Sequence, residues 1–262
     1  MPELPDVESA ARYLRRRIRG RRVSRVAVRD PSVVRSPAPR TFARTLRGRR
    51  VLTVGRRGKY LIFPLSGAFV MVGHLRMTGD FVVVPRRAVF RPQTRLVVGF
   101  GPDDMRFVDQ RRFGHVDLVR VGHLAKVPGL RALGVEPLTA AFSPDRLRAL
   151  IAGRRATLKA FLLRQDLIAG IGNIYADEIL FQARLHPARM LRTLRPPQIR
   201  ALHRSIRAAL RRGIAALSRR GAPAGDLVEA RRRGGTCPRC GGLLRTAKIG
   251  GRTAYFCPRC QR

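Results

Sequence analysis

Between residues 5 and 18, Val7, Ala10, Ala11, Leu14 and Ile18 recur three or four positions apart, with charged side chains between them. That period places them on one face, so it predicts an amphipathic helix from Pro5 to Ile18. Glu3, Asp6 and Glu8 lie at its start and Arg15, Arg16 and Arg17 near its end, which complements the helix dipole, and Gly20 stops it. The pattern then shortens. The runs VSRVAV, VLTV, YLIF, AFVMV, FVVV, RLVVGF, MRFV and HVDLVRV are rich in β-branched residues and separated by Gly, Pro and Asp. They predict about eight strands of an antiparallel sandwich or barrel.

After LGVEPLTAAF the period lengthens again. Ser143 with Pro144 predicts a capped helix running to about Ala152, a second follows from Ala156 to Arg164, and a third begins at Asn173 or Ile174. PQIRALHRSIRAALRRGIAAL carries apolar residues at helical spacing, and RRGAPAGDLVEARRRGG reads as a linker into a cysteine-bearing end. The expected architecture is multidomain α+β: an N-terminal β-sandwich domain at 1–132, a helical domain at 133–225 and a small module at 226–262.

Charge sharpens this picture. Lys and Arg number 55 against 16 Asp and Glu, a formal net charge of +39. Genomic bias toward arginine explains the type of cation but not the shortage of acids, so a polyanionic partner is the first expectation. The longest apolar stretch is broken by Pro64 and Gly67, short of the roughly 18 residues a membrane helix needs. The start of the chain has no apolar segment of a secretory kind, so a cytoplasmic protein is expected.

All four cysteines fall in the last 26 residues. Cys237, Cys240, Cys257 and Cys260 give two C-x2-C knuckles separated by 16 residues, spacing that suits one tetrahedral zinc in a ribbon. Four protein ligands leave no open position, so this zinc is expected to be structural; disulfides or a redox dithiol are the alternatives. The five histidines show no paired spacing, and each is read as a satisfied polar residue.

The chain starts MPELPDVE. Loss of the initiator methionine before a small residue would leave Pro2 with a secondary amine, able to attack an aldehydic carbon and form an iminium. An α-amino group titrates near about 7.7–8.0, so an appreciable fraction is neutral at physiological pH. Adjacent Glu3 could shuttle protons. The plain alternative is that both residues only start a helix. Lys59, Lys126, Lys159 and Lys248 are the only lysines in a chain that otherwise uses arginine, and Lys59, between a glycine and a predicted strand, is a site candidate for that reason.

In order, MPELPDVE, RRGKYL, GHLRMTG, QRRFG, GIGNIYADEIL and the cysteine knuckles resemble the formamidopyrimidine-DNA glycosylase family, with endonuclease VIII as its sister branch. The resemblance covers nearly the whole chain. It implies a sandwich, a helix-two-turns-helix domain and a zinc ribbon. It also implies a bifunctional glycosylase and abasic-site lyase excising oxidised bases such as 8-oxoguanine and formamidopyrimidines. Pro2 would be the nucleophile and Glu3 would protonate the sugar ring oxygen. Lys59 would contact the phosphate or sugar and assist proton transfer, and Arg252 would grip the lesion phosphate. Met77, Arg111 and Phe113 would fill the hole left by an everted nucleotide. Arg154 and Lys159 would contact DNA, Lys159 near the everted base. Asn173 opens a helix after GIG, where glycines would let the backbone approach phosphate. The implied protein is a monomer acting on double-stranded DNA with oxidised or abasic lesions, associated with the bacterial nucleoid.

Three positions depart from the family's pattern. Gln93 stands where the family has a DNA-contacting histidine, and it can hydrogen-bond but carries no charge. The segment between the last long helix and the ribbon is short and lacks aromatic residues where the family has a loop over oxidised purines. Asp6 replaces a longer acid. Oxidised pyrimidines or plain abasic sites are therefore the alternative substrates. A non-catalytic zinc-ribbon DNA-binding protein and an RNA-binding ribbon protein are readings of other classes.

Overall fold

The computed structural model describes residues 1–220 and 222–262. The chain forms two compact units, one of Met1–Pro2 with Val7–Arg131 and one of Glu3–Asp6 with Ala132–Arg262.

The first helix, α1, spans Leu4–Ile18, and its residues Val7, Ala11, Leu14 and Ile18 are fully buried in the first unit's core. The spacing that predicted the helix is therefore the spacing of its buried face. One sheet contains β1 (Arg25–Val28), β7 (Thr94–Gly99), β8 (Asp103–Val108) and β6 (Asp80–Pro85), in that order. The other has β2 (Val34–Ser36), β9 (His115–Arg120), β5 (Phe69–His74), β4 (Tyr60–Leu65) and β3 (Gly55–Arg57). All pairings are antiparallel except β2 with β9. The sheets pack face to face. Phe63 of β4 meets Phe81 of β6 with ring centroids 5.6 Å apart, and Phe81 meets Phe107 of β8 at 4.6 Å.

The expected sandwich is thus present, with differences in detail. VLTV forms only an isolated bridge, Val51 to Leu65, and the edge strand β3 starts after it. A short helix, α2 (Pro39–Leu46), buries Phe42 and Leu46, and β2 precedes it; neither was expected. Only two apolar residues four apart mark α2, and no side chain caps it, so the pattern is too brief to stand out.

Because β6 and β7 both pair with β8, the segment joining them must cross that strand. Arg106, buried in mid-strand, pins the crossing by donating to the carbonyls of Arg86, Ala88 and Val89, while the Phe90 ring lies 4.0 Å from its guanidinium carbon. Register then aligns Asp80 and Thr94 with Val108, so the turn before β6, the approach to β7 and the turn after β8 share one end of the sheet.

In the second unit, α3 (Pro144–Ile151), α4 (Leu158–Leu162), α5 (Asn173–Gln182) and α6 (Pro196–Arg220) follow the expected helices closely. Ser143 Oγ accepts from Arg146 N and Thr157 Oγ1 from Ala160 N, the local caps of α3 and α4. Every residue of α5 from Tyr175 to Phe181 is buried, so this helix runs through the core. The expected linker contains a helix, α7 (Asp226–Ala230), whose Leu227 is fully buried against Phe181 and the cysteine knuckles. The chain ends in the hairpin β10 (Arg245–Ile249) and β11 (Arg252–Phe256).

Candidate functional site

The first unit carries Pro2, Lys59, Met77, Gln93, Arg111 and Phe113. Lys59 occupies the two-residue turn between β3 and β4 and is 8% exposed; Gly58 beside it has φ +55°, a conformation that favours glycine. Cross-strand register places Tyr60, His74 and His115 side by side. Tyr60 meets His74 edge-on at 4.5 Å, and His74 stacks on His115 at 5.5 Å. His74 Nδ1 accepts from Arg76 N at 3.0 Å. Burial, aided by the cations Arg76 and Lys59, pushes His74 down to about 3, and burial lowers His115 too, so both rings are neutral at physiological pH. Among the described residues His115 Nε2 has no hydrogen-bond partner, so the expectation of satisfied histidines fails there.

Met77 and Phe113 project from the shared end of the sheets at 39% and 53% exposure, unusual for large apolar side chains. The Arg111 guanidinium lies over the Phe113 ring at 4.9 Å. Arg76, before Met77, and Arg112, between Arg111 and Phe113, have φ of +54° and +58°. Non-glycine residues in this region are strained, and both strained positions flank the projecting side chains. Half-buried Gln93 is tied to this end through its carbonyl, which accepts from Asp109 N at 3.0 Å.

The second unit carries Glu3, Arg154, Lys159, Asn173, Arg252 and the cysteines. Glu3 is 2% exposed, and its carboxylate accepts from the backbone N–H groups of Gly172 (3.0 Å), Ile174 (2.8 Å) and Tyr175 (3.1 Å). Three such donors at the start of α5 stabilise negative charge. A Cβ on Gly172 would lie 2.3 Å from the Glu3 carboxyl carbon. Gly172 thus makes room for Glu3, and the anion that these backbone donors hold is the protein's own. Asn173 follows as the first residue of α5, and its Oδ1 is buried without a partner among the described residues.

Lys159 also departs from expectation. It is fully buried, its ammonium 2.5 Å from Asp177 Oδ1 and donating to the Thr253 carbonyl at 2.9 Å. Asp177 Oδ2 accepts from Arg231 Nε at 3.0 Å and Tyr255 N at 3.1 Å. Burial lowers the lysine and raises the aspartate, and their mutual attraction opposes both shifts. The cluster therefore fastens the hairpin rather than presenting a cation to a ligand. At the hairpin's tip, Gly250 and Gly251 have φ of +56° and +73°, the turn that lets Ile249 pair with exposed Arg252. Arg154 is exposed just after α3, its Nε donating to Leu150 O at 2.6 Å.

The four cysteine sulfurs lie within 4.8 Å of one another and none is in a disulfide. Tetrahedral zinc with bonds of about 2.3 Å requires sulfur separations of about 3.8 Å. Cys237–Cys260 at 3.9 Å and Cys240–Cys257 at 3.5 Å fit that requirement. Sequence reading missed Asp109, Asp177, Glu178 and Arg231. In a chain with 16 acids, each buried acid was itself a signal, the counterpart of the surviving lysines.

Comparison with known proteins extends this geometry to the whole chain. Residues 1–116 match the model of the formamidopyrimidine-DNA glycosylase N-terminal domain, 133–220 that glycosylase's H2TH domain, and 234–262 a zinc finger found in FPG and IleRS. A formamidopyrimidine-DNA glycosylase of Moorella thermoacetica is 43% identical, over 99% of this chain and 92% of its own length. That of Pelotomaculum thermopropionicum is 38% identical, over 100% and 99%. Among solved structures, the Lactococcus lactis enzyme with DNA containing an abasic site superposes with a TM-score of 0.91 at 30% identity, over 99% of both chains. The same protein with DNA containing an oxidised pyrimidine gives 0.92 at 31%, over 100% of both chains.

Proposed function

Because the chain belongs to the formamidopyrimidine-DNA glycosylase family, it is a DNA-repair glycosylase, and we propose that it excises oxidised bases through a Schiff base on Pro2 and then cuts the strand. The observation that supports this reading best is the clamp on Glu3: a helix N-terminus holds its carboxylate immediately next to the residue that would be the nucleophile.

With Met1 removed, the Pro2 nitrogen attacks C1′ of the damaged nucleotide. The bond from C1′ to the base breaks, the base departs with the electron pair and takes up a proton, and the sugar ring opens to an iminium. Glu3, held in an environment that favours the anion, suits the task of taking the proton from the Pro2 nitrogen and passing it to the ring oxygen. The iminium acidifies the C2′ hydrogen, so β-elimination expels the 3′ phosphate and δ-elimination the 5′ phosphate. Lys59 and Arg252 bind phosphate beside the lesion, Arg252 with the forked geometry suited to phosphate. Met77, Arg111 and Phe113 occupy the space left by the everted nucleotide, whose extrusion costs a few kcal/mol. Arg154, Gln93 and Asn173 contact the backbone. Lys159 acts at one remove, by holding the strand that carries Arg252. Zinc, bound by the four cysteines, keeps the ribbon folded.

Oxidised purines are the leading substrates. Oxidised pyrimidines form a second class, because only residues 221–225 separate α6 from α7 and none is aromatic. Borohydride trapping on duplexes with oxidised purines, ring-opened purines, oxidised pyrimidines and abasic sites tests the reading. The wild type should become covalently linked to DNA. Pro2→Gly should weaken the linkage, whereas Arg154→Ala should mainly weaken binding. Failure of the wild type to trap on any lesion would leave a DNA-binding module without turnover.

A further inference from the structure

Asp109 follows β8 and is fully buried, yet among the described residues its carboxylate hydrogen-bonds to no cationic side chain. Oδ1 accepts from Thr78 Oγ1 at 2.5 Å and from Arg111 N at 3.2 Å, and Oδ2 accepts from Gly114 N at 2.7 Å. Thr78 Oγ1 accepts in turn from the same Arg111 N–H at 3.1 Å, so the two turns share a three-centre bond. The backbone of Asp109 reaches the third segment: its N–H donates to Gln93 O at 3.0 Å, and its carbonyl accepts from Arg95 Nε at 2.9 Å. One residue thus joins the Met77 turn, the approach containing Gln93 and the Arg111–Phe113 turn.

The surroundings leave little slack. A Cβ on Gly114 would lie 2.5 Å from the Phe107 ring and 3.1 Å from Asp109 Oδ2, and one on Gly79 would lie 2.5 Å from the Leu75 carbonyl. The strained conformations of Arg76 and Arg112 sit one residue from the projecting side chains and need the neighbouring bonds to hold them. A carboxylate suits this role because it offers acceptors on two oxygens and no donor, and every group aimed at it here is a donor.

We propose that Asp109 is a positioning residue: it locks Met77, Arg111 and Phe113 into a single wedge that enters the duplex when a nucleotide is everted. This rests on the glycosylase reading above. Apolar wedges act by unstacking base steps, and their gain depends on entering at a fixed depth and angle. A wedge of two independently mobile turns would lose that advantage while leaving the chemistry at Pro2 untouched.

The test compares Asp109→Asn and Thr78→Val with the wild type. Thr78→Val removes only the link between the turns and keeps the Asp109–Gly114 bond, so it guards against Asp109→Asn failing to fold; circular dichroism at the assay temperature checks both. The first readout is 2-aminopurine fluorescence opposite an uncleavable abasic analogue in duplex DNA, which reports insertion without turnover. The second is borohydride trapping on a lesion-bearing duplex and on a single-stranded abasic oligonucleotide, where no opposite base needs support. Both variants should lose the fluorescence rise and trap on duplex about 10- to 100-fold more slowly. Trapping on the single strand should change by less than about threefold. Unchanged fluorescence, or equal losses on both substrates, would overturn the proposal. A wild type that gives the fluorescence rise but never traps would instead overturn the lyase chemistry and leave the wedge standing.

Discussion

In the first unit buried carboxylates meet arginines and turn amides, whereas in the second they cap helix N-termini or, at Asp177, join a buried lysine with Arg231 and a strand amide. Asp104 of β8 pairs with Arg25 of β1 and with Arg106 of its own strand, Asp117 holds Arg35 through both oxygens, and Asp109 ties turns together. In the second unit Glu3 caps α5, and Glu178 caps α7 by accepting from Asp226 N, Leu227 N and Val228 N. Both helices have glycine at the N-cap and no local side-chain cap. A Cβ on Gly225 would lie 2.6 Å from the Glu178 carboxyl carbon, as one on Gly172 would crowd Glu3. A glycine cap with a distant glutamate is thus used twice, once for a structural helix and once beside the proposed nucleophile. With 16 acids against 55 Lys and Arg, most cations have no acidic partner and are available for phosphate.

The largest effect should come from the metal. Stripping zinc with a chelator, or Cys257→Ser, should unfold the ribbon and abolish lesion-DNA binding in a mobility-shift assay, since free ligands at such sites do not hold the fold. Retained binding would show that the hairpin stands without the ion. Next, Asp177→Ala leaves Lys159 buried without its counter-charge and should cost about 3–5 kcal/mol in denaturant unfolding. A cost below about 1 kcal/mol would mean the pair is no better than an exposed one. Remote and local caps then separate: Glu178→Gln should cost about 1–3 kcal/mol because buried donors lose their acceptor, against about 1 kcal/mol for Ser143→Ala. Equal costs would erase the distinction between the two kinds of cap.

A pH dependence in the first unit comes from His74. His74 is held near 3 when folded, against an ordinary 6.5, so between those values the unfolded chain binds a proton that the folded chain excludes. Stability is therefore full above about pH 6.5 and falls on acidification toward 3, by about 1 kcal/mol per pH unit from this group. His74→Gln should flatten urea-midpoint curves between pH 6 and 4; parallel curves would rule the histidine out.

Local features were legible in the sequence and remote ones were not. Ser143 announces α3 because cap and helix are adjacent, and the α1 stripe is its buried face. α7 was hidden because its cap, Glu178, lies in another helix 48 residues from Asp226. Lys59 stood out as a lysine among arginines, and the same signal at Lys159 marked a buried pair, which rarity alone does not distinguish from a ligand contact. Gly172 read only as part of a phosphate turn because the carboxylate it makes room for comes from residue 3.

The central claim is tested most directly by mapping the borohydride-trapped adduct by mass spectrometry. The deoxyribose remnant should sit on the peptide beginning at Pro2, with Met1 absent. An adduct on Lys59 or any other lysine, or full trapping by a chain that still carries Met1, would contradict it.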